Sequence, residues 1–420
     1  MQELLNDNSF IKASTTVFNS YVQNYFVIID TSENSLFCFS KDMEIIWNDF
    51  KEGAFLSDLS KKYSSTEEDN NKFKNSLILL IELGIITVDD IIYKNHELIA
   101  KKNQLDELIV NCGGKGERCK LLIETTSVCN LKCIHCFQDI DINTLKTDKL
   151  LESLQEAKYE GYIYITLSGG ELFATNIWRD VIAGVRKIGF VYSIISNLTL
   201  LNDEDMSFLV SQKPERIKTS IYGNNAKTHD AITGQEGAFN KTIQNIKKLI
   251  NVGIRVDVNY VIMKDNFIEY EESKKMLENL GCNVEGSYKL YPTRKNRIEH
   301  LSHQIARDQL HYLFERGLLN VKGGRCTAGQ YELRVSPTGE VFPCAFMNIS
   351  LGNIYKDNFK KINQSEKLQA LVHEIKNCIP TQCGLCRNKD FCTYCPALVW
   401  DNKSHINECN TILHNFSNFT

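Results

Sequence analysis

Between residues 121 and 291, short apolar, β-rich runs alternate with amphipathic helical stretches. The runs fall near 121–126, 162–167, 191–196, 216–222, 255–263 and 284–291. Such alternation predicts parallel strands joined by crossover helices. Six units are too few for a closed eight-stranded barrel, so the α/β pattern predicts an open, partial, TIM-like (β/α)6 barrel with its site at the carboxyl ends of the strands. Upstream, two β-type runs, Tyr25 to Ile29 and Leu36 to Ser40, flank a turn-like hexapeptide, and helical periodicity follows around 41–50, 56–63 and 68–84. Strands with three helices also describe a winged helix, and a winged-helix-like domain is expected over 1–100. Residues 101–120 turn charged and contain Gly113-Gly114-Lys115-Gly116, which reads as a linker. The barrel is expected over 121–300. From 301 to 420 the pattern predicts a helix near 302–318, short strands at 331–335 and 340–343, and then loop-rich, cysteine-dense sequence. Little core can form there, and ligated metal would supply the missing stability.

Composition narrows the function classes. With 420 residues, 43% of them hydrophobic, 24% charged and 6 prolines, the chain is globular rather than disordered or fibrous. A net charge of -4 gives no general attraction to nucleic acid or anionic lipid, and the 65–71 segment is acidic where a DNA-reading helix would be basic. The N-terminus lacks the basic start and apolar core of a secretory signal. The most apolar run, Leu77 to Ile86, is broken by Glu82 and is too short to span a bilayer. A cytoplasmic protein with no nucleic-acid or membrane partner is expected.

Cysteine usage changes the picture most. Fifteen cysteines in a reducing compartment point to metal ligation and not to a disulfide framework. One, Cys38, precedes residue 100; three lie between 129 and 136, and eight between 326 and 409. Two separate sites are expected. The first, Cys129-Asn-Leu-Lys-Cys133-Ile-His-Cys136, closely follows the strand at 121–126. Three thiolates leave one iron of a four-iron cluster open to a substrate's amine and carboxylate. A zinc site completed by His135 is disfavoured, because His135 lies between two ligand cysteines and would strain to reach the same metal as both.

This motif resembles the signature of the radical S-adenosylmethionine (SAM) superfamily. The resemblance implies that a reduced cluster cleaves SAM to methionine and a 5′-deoxyadenosyl radical, which abstracts a substrate hydrogen. In that family the residue before the third cysteine is usually aromatic and meets the adenine; here it is His135. Ser168-Gly169-Gly170-Glu171, after the second strand, would hold the methionyl amine. Ser196 and Asn197 after the third strand, and Ser220 on the fourth, would meet the ribose and carboxylate. The arginine that some relatives carry near Ile232 is absent. A flavodoxin- or ferredoxin-type electron donor is implied.

The second set runs Cys326, twelve residues, Gly339, four residues, Cys344, then Cys383, Cys386, Cys392, Cys395 and Cys409. Two C-x-x-C pairs alone would suit a zinc ribbon. The set as a whole resembles the SPASM domain, which binds two auxiliary four-iron clusters, although two residues separate Cys392 from Cys395 where that family usually has three. The resemblance implies that Cys383, Cys386, Cys392 and Cys409 close an outer cluster. Cys326, Cys344 and Cys395 would hold an inner one, with Cys378 or a substrate thiolate as fourth ligand, making three [4Fe-4S] clusters in all. Cys38, Cys112, Cys119 and Cys282 read as structural. Residues 1–100 resemble the recognition element that binds a leader peptide as an added strand. Together the resemblances imply a maturase of a ribosomally synthesised precursor peptide that forms a thioether cross-link. Carbon-carbon cross-linking, side-chain oxidation as in sulfatase maturation, and a zinc-stabilised winged-helix regulator are the alternatives.

Overall fold

The computed structural model describes residues 5–22, 25–105, 107–108, 118–138, 141–295, 297–319, 326–377 and 395–398. Its centre is a parallel run of six strands: β7 (Lys120–Glu124), β8 (Tyr164–Ser168), β9 (Val191–Ile195), β10 (Arg216–Ser220), β11 (Val256–Val261) and β12 (Asn283–Ser287). They pair in sequence order, each parallel to the next. This is the expected open barrel, with each strand within a few residues of its apolar run.

Strands covered on both faces need continuous apolar sequence, and β8 and β9, YITLS and VYSII, are buried along four of five positions each. The helices that cover them carry the complementary stripe. Trp178–Ile188 buries Trp178, Val181, Ile182 and Val185 at successive three- and four-residue spacings. It ends at Gly189, whose φ of +93° is the left-handed cap that stops a helix. Asp203–Gln212 starts from a capping box between Asn202 and Asp205.

Three further strands extend this sheet: β13 (Glu332–Val335), β14 (Glu340–Phe342) and β15 (Gly352–Asn353). β13 pairs in parallel with β7, from Glu332 beside Lys120 to Val335 beside Ile123. One nine-stranded sheet therefore joins the barrel to the cysteine-rich half.

The N-terminal residues form two small sheets. The first has the order β5-β1-β6 (Ala54–Phe55, Phe10–Ala13, Ile86–Val88), and the second β2-β3-β4 (Val17–Val22, Tyr25–Asp30, Ser35–Phe39). Helices Met43–Glu52, Leu56–Tyr63 and Glu67–Glu82 lie where periodicity placed them. They pack Trp47, Phe50, Leu59, Leu77 and Leu80 into a core with Ile11 and Ile86. Strands β1, β2, β5 and β6 have two to six residues, and the alternation test did not single them out.

The stretch 101–120 is no loose connector where it is described. Leu105, Leu108 and Cys119 share a core with Val27, Ile29 and Leu36 of the second sheet and with Ile163, Tyr164 and Val191 at the amino ends of the barrel strands. The turn 31–34 docks at the same end. Arg186 donates to the carbonyls of Thr31 (2.9 Å) and Gln212 (2.7 Å), and Asn34 donates to that of Lys213 (3.1 Å). The second sheet thus closes the bottom of the barrel, leaving the carboxyl ends for the site. Among the described residues, no helix is long and apolar enough to cross a membrane.

Candidate active site at the carboxyl ends of the strands

The first cysteine loop leaves β7 and is held from several sides. Thr125 N donates to Ser168 O (2.9 Å) and Leu145 N to Thr125 O (2.8 Å). Lys132 N and Ile134 N donate to the carbonyls of Thr233 and Ile232 (2.9 and 3.0 Å). Those carbonyls end the helix Ala226–Thr233 and have no acceptor role inside it. Within the loop, Leu131 N meets Cys129 Sγ at 3.4 Å.

The glycine pair after β8 packs against this loop. A Cβ on Gly169, at φ +140°, would lie 2.3 Å from Thr126 O; one on Gly170 would lie 2.3 Å from Val128 O. Gly170 N and Glu171 N donate to those same two carbonyls (2.7 and 2.8 Å). The glycines are needed for a backbone-to-backbone approach that locks the cysteine loop, as well as for any approach to a ligand.

A cavity of about 1160 Å³ opens over these loops, and Cys129, Cys133, Cys136, His135, Ser168, Gly169, Gly170, Ser196, Asn197 and Ser220 all line it. Glu171 does not. Its carboxylate is buried behind the wall, accepting from Ser196 Oγ (2.9 Å), Asn197 N (2.7 Å) and Phe173 N (3.0 Å). The Glu171 side chain thereby fixes the turn that forms this part of the wall. The Asn197 side chain is likewise engaged, donating to Asn130 Oδ1 and accepting from Thr199. Leu198, in the left-handed region at φ +64°, turns the chain away just after it.

Beside the loop His135, Tyr222, His229 and Phe239 form a run of ring contacts, with centroids 4.8, 5.4 and 5.7 Å apart. The His135 ring lines the cavity, and its buried Nδ1 has no partner among the described residues. Burial, then the nearby His300 and His303, pull the His135 pKa down to about 4, leaving a neutral imidazole. Burial, then the neighbouring Cys133 thiol, pushes the Tyr222 hydroxyl well above the ordinary tyrosine range. Tyr222 was not singled out beforehand; its signal was its place two residues beyond Ser220.

The donor set fits an iron-sulfur cluster. Cys133 is pushed up to about 12, first by burial and then by the Cys136 and Cys129 thiols. Three bare thiolates are unfavourable here, and iron supplies the compensating positive charge. Among the described residues no three His, Cys, Asp or Glu side chains converge tightly enough for one metal ion. A four-iron cluster needs no such convergence, since each thiolate binds a different iron.

The second cysteine site lies across the cavity. Ala345 and Phe346, directly after Cys344, line it; Cys344 and Cys395 lie within electrostatic reach of each other, and Cys326 is half-buried against the same core as Cys344. Cys378, Cys383, Cys386, Cys392 and Cys409 lie outside the described residues, as does Cys112. A buried ion network joins the two halves. Glu124, at the end of β7, accepts from Arg334 Nη1 of β13 (3.0 Å), from Arg294 and from Gln138 Nε2 (3.1 Å). Arg334 also donates to Cys344 O (3.1 Å) and Asn348 Oδ1 (3.3 Å). Its partners lie up to 210 residues away, so no local pattern announced them.

Comparison with known proteins agrees with this geometry. Residues 123–277 match the Radical SAM superfamily and residues 326–396 the SPASM iron-sulfur cluster-binding domain. The chain is 25% identical over 317 residues to the AdoMet-dependent heme synthase of Methanosarcina barkeri, covering 66% of this chain and 90% of that one. It is 26% identical over 309 residues to the antilisterial bacteriocin subtilosin biosynthesis protein AlbA of Bacillus subtilis, covering 67% of each. The fold matches Streptococcus suis SuiB, solved with its precursor peptide SuiA, with a TM-score of 0.61 at 14% identity over 94% of this chain and 97% of that one. A zinc-stabilised regulator has no place in these matches. The chain carries a radical SAM domain followed by a SPASM domain, and so belongs to the radical SAM superfamily.

Proposed function

We propose that the protein is a maturase of a ribosomally synthesised precursor peptide, joining a cysteine sulfur to a carbon of an acceptor residue through a thioether. The observation that carries this reading is the reach of the cavity, which extends from the first three cysteines to Ala345 and Phe346 beside Cys344. A peptide segment seated there faces both cysteine sites. The name of AlbA, subtilosin biosynthesis, and the SuiB complex with its precursor peptide support a peptide substrate.

Cys129, Cys133 and Cys136 would hold the radical SAM cluster. Cys326, Cys344 and Cys395 would hold the inner auxiliary cluster, with Cys378 or a substrate thiolate as fourth ligand, and Cys383, Cys386, Cys392 and Cys409 the outer one. When bound, the first cluster with SAM supplies a hydrogen-abstracting 5′-deoxyadenosyl radical, and the auxiliary clusters supply an electron acceptor. The chain's own residues bind and orient. Ser168, Ser220 and His135 offer polar contacts to SAM, while Glu171 holds the Ser196-Asn197 turn in place. The apolar wall around Tyr222 keeps water from the reacting atoms. Residues 1–100 would take the leader peptide in a winged-helix-like module, and a flavodoxin or ferredoxin would deliver the electron.

The test is anaerobic co-production with a cysteine-containing peptide from a neighbouring reading frame. The expected product has lost two hydrogens per cross-link, and its linked cysteines no longer alkylate. Loss of hydrogen with every thiol still alkylating would replace the thioether with carbon-carbon cross-linking. Zinc in place of iron, with no 5′-deoxyadenosine formed, would end the enzyme reading.

A further inference from the structure

The turn that carries Cys344 is gripped by one buried side chain. Arg334 of β13 commits all three guanidinium nitrogens: Nε donates to Cys344 O (3.1 Å), Nη2 to Asn348 Oδ1 (3.3 Å) and Nη1 to Glu124 Oε2 (3.0 Å). The first two bonds hold the two ends of residues 344–348, and within that turn Met347 N meets Cys344 Sγ at 3.4 Å. The guanidinium carbon lies 4.0 Å from the centroid of the Phe342 ring. Glu124 is the counter-charge, and it lines the cavity. It also accepts from Arg294 and from Gln138 Nε2 (3.1 Å), two residues beyond Cys136. Arg294 O in turn accepts from Asn348 Nδ2 (2.6 Å). Two arginines against one glutamate leave this network a net charge of +1.

Arginine keeps its charge inside a protein, and salt screens a buried charge much less than an exposed one. Reduction of a four-iron cluster adds one negative charge, and its potential follows the net charge and hydrogen bonds around it. A net positive network bonded to the backbone of a ligand cysteine therefore stabilises the reduced cluster more than the oxidised one.

We propose that Arg334 is a positioning residue for the inner auxiliary cluster: it fixes the Cys344 turn and holds that cluster's reduction potential up, while Glu124 trims the effect from the cavity side. This rests on the reading that Cys344 ligates a cluster. Thioether formation removes a hydrogen atom, a proton and an electron from the peptide. The first goes to the 5′-deoxyadenosyl radical and the second to solvent, and a cluster held at raised potential is suited to take the third.

The experiment uses the full chain with Cys129, Cys133 and Cys136 all changed to alanine, reconstituted without oxygen, so that auxiliary clusters alone are titrated by electron paramagnetic resonance. Arg334→Gln removes a positive charge and should lower one auxiliary potential. Glu124→Gln removes a negative charge, keeps an acceptor for Arg334, and should raise the same potential. Each shift should equal about tenfold in the reduced-to-oxidised ratio at fixed potential, the order expected of one buried charge acting over roughly 10 Å. The double variant should lie between the two, and the other auxiliary potential should stay in place. A merely structural network would not give opposite signs. Auxiliary signals present with the potential unmoved, or moved the same way by both substitutions, would overturn the role of Arg334 and leave the cluster assignment standing. If Arg334→Gln fails to hold iron, Glu124→Gln decides alone: a rise supports the proposal, and no change or a fall overturns it. A parent chain with no auxiliary iron would overturn the assignment itself.

Discussion

Replacing Gly170 by alanine puts a methyl carbon 2.3 Å from Val128 O and 2.8 Å from Ser127 O. Both are backbone atoms on the approach to Cys129, so no rotamer change relieves the contact. Ordinary van der Waals contact begins at 3.4 Å, and the loop must retreat by roughly 1 Å to reach it. That retreat breaks or stretches the bonds from Gly170 N to Thr126 O and from Glu171 N to Val128 O. Their loss costs about 1–3 kcal/mol together, and overpacking adds about 1–3 kcal/mol. The displacement falls on Cys129, proposed above as a ligand of the first cluster. The variant should fold, bind less iron at the first site and form 5′-deoxyadenosine at least about tenfold more slowly, since 1.4 kcal/mol is already tenfold. Iron quantification and the resonance signal of the first cluster, followed by a 5′-deoxyadenosine assay, read these separately. Gly253→Ala, at φ +81° with nothing within 4 Å of a Cβ, carries backbone strain without a clash and should leave iron binding at the first site unchanged. Full iron occupancy and unchanged 5′-deoxyadenosine formation in Gly170→Ala would refute the idea that this contact sets the cysteine loop.

Other perturbations test the surrounding frame. Arg334→Met leaves Glu124 one arginine short and strands Cys344 O; breaking a buried pair costs about 3–5 kcal/mol, read as a fall of roughly 5 °C in the melting temperature of the cluster-free chain, with most of it recovered when Glu124→Leu is added. His229, 1% exposed, accepts from Tyr222 N at 3.3 Å, and burial lowers its pKa from 6.5 to about 4. The unfolded chain therefore takes up that proton first as pH falls: this stability is complete above pH 6.5 and is lost progressively toward pH 4, by about 3 kcal/mol. Melting curves of His229→Asn should be flatter across that window. Arg186→Ala removes the bridge between Thr31 O and Gln212 O, costing about 1.5–3 kcal/mol per bond, and limited proteolysis should release the N-terminal residues faster while iron binding is unchanged.

The barrel was legible because parallel strands covered on both faces have to be apolar throughout; Tyr164 to Leu167 and Val191 to Ile194 leave little choice. The cysteine loop was legible for a different reason, since ligand spacing is local. Contacts made across long stretches of chain were not legible. Glu124 reads as an ordinary polar strand end until Arg334 is beside it. Glu171 commits both oxygens to the neighbouring turn, a task that its motif alone does not announce. At the N-terminus, β5 has two residues and β6 three. Alternation cannot declare itself over that length, and pairing with β1 is what makes them strands.

The parallel pairing of β13 with β7 bears on how such enzymes can be recombined. The strand that opens the cysteine-rich half is stitched, backbone to backbone, onto the strand that leads into the first cysteine loop, and Arg334 and Glu124 meet across that seam. The C-terminal half is therefore not a detachable cartridge. A chimera that imports it from a relative must import a compatible edge for β7, with the buried charge matched on both sides, or the seam will open beneath the first cysteine loop.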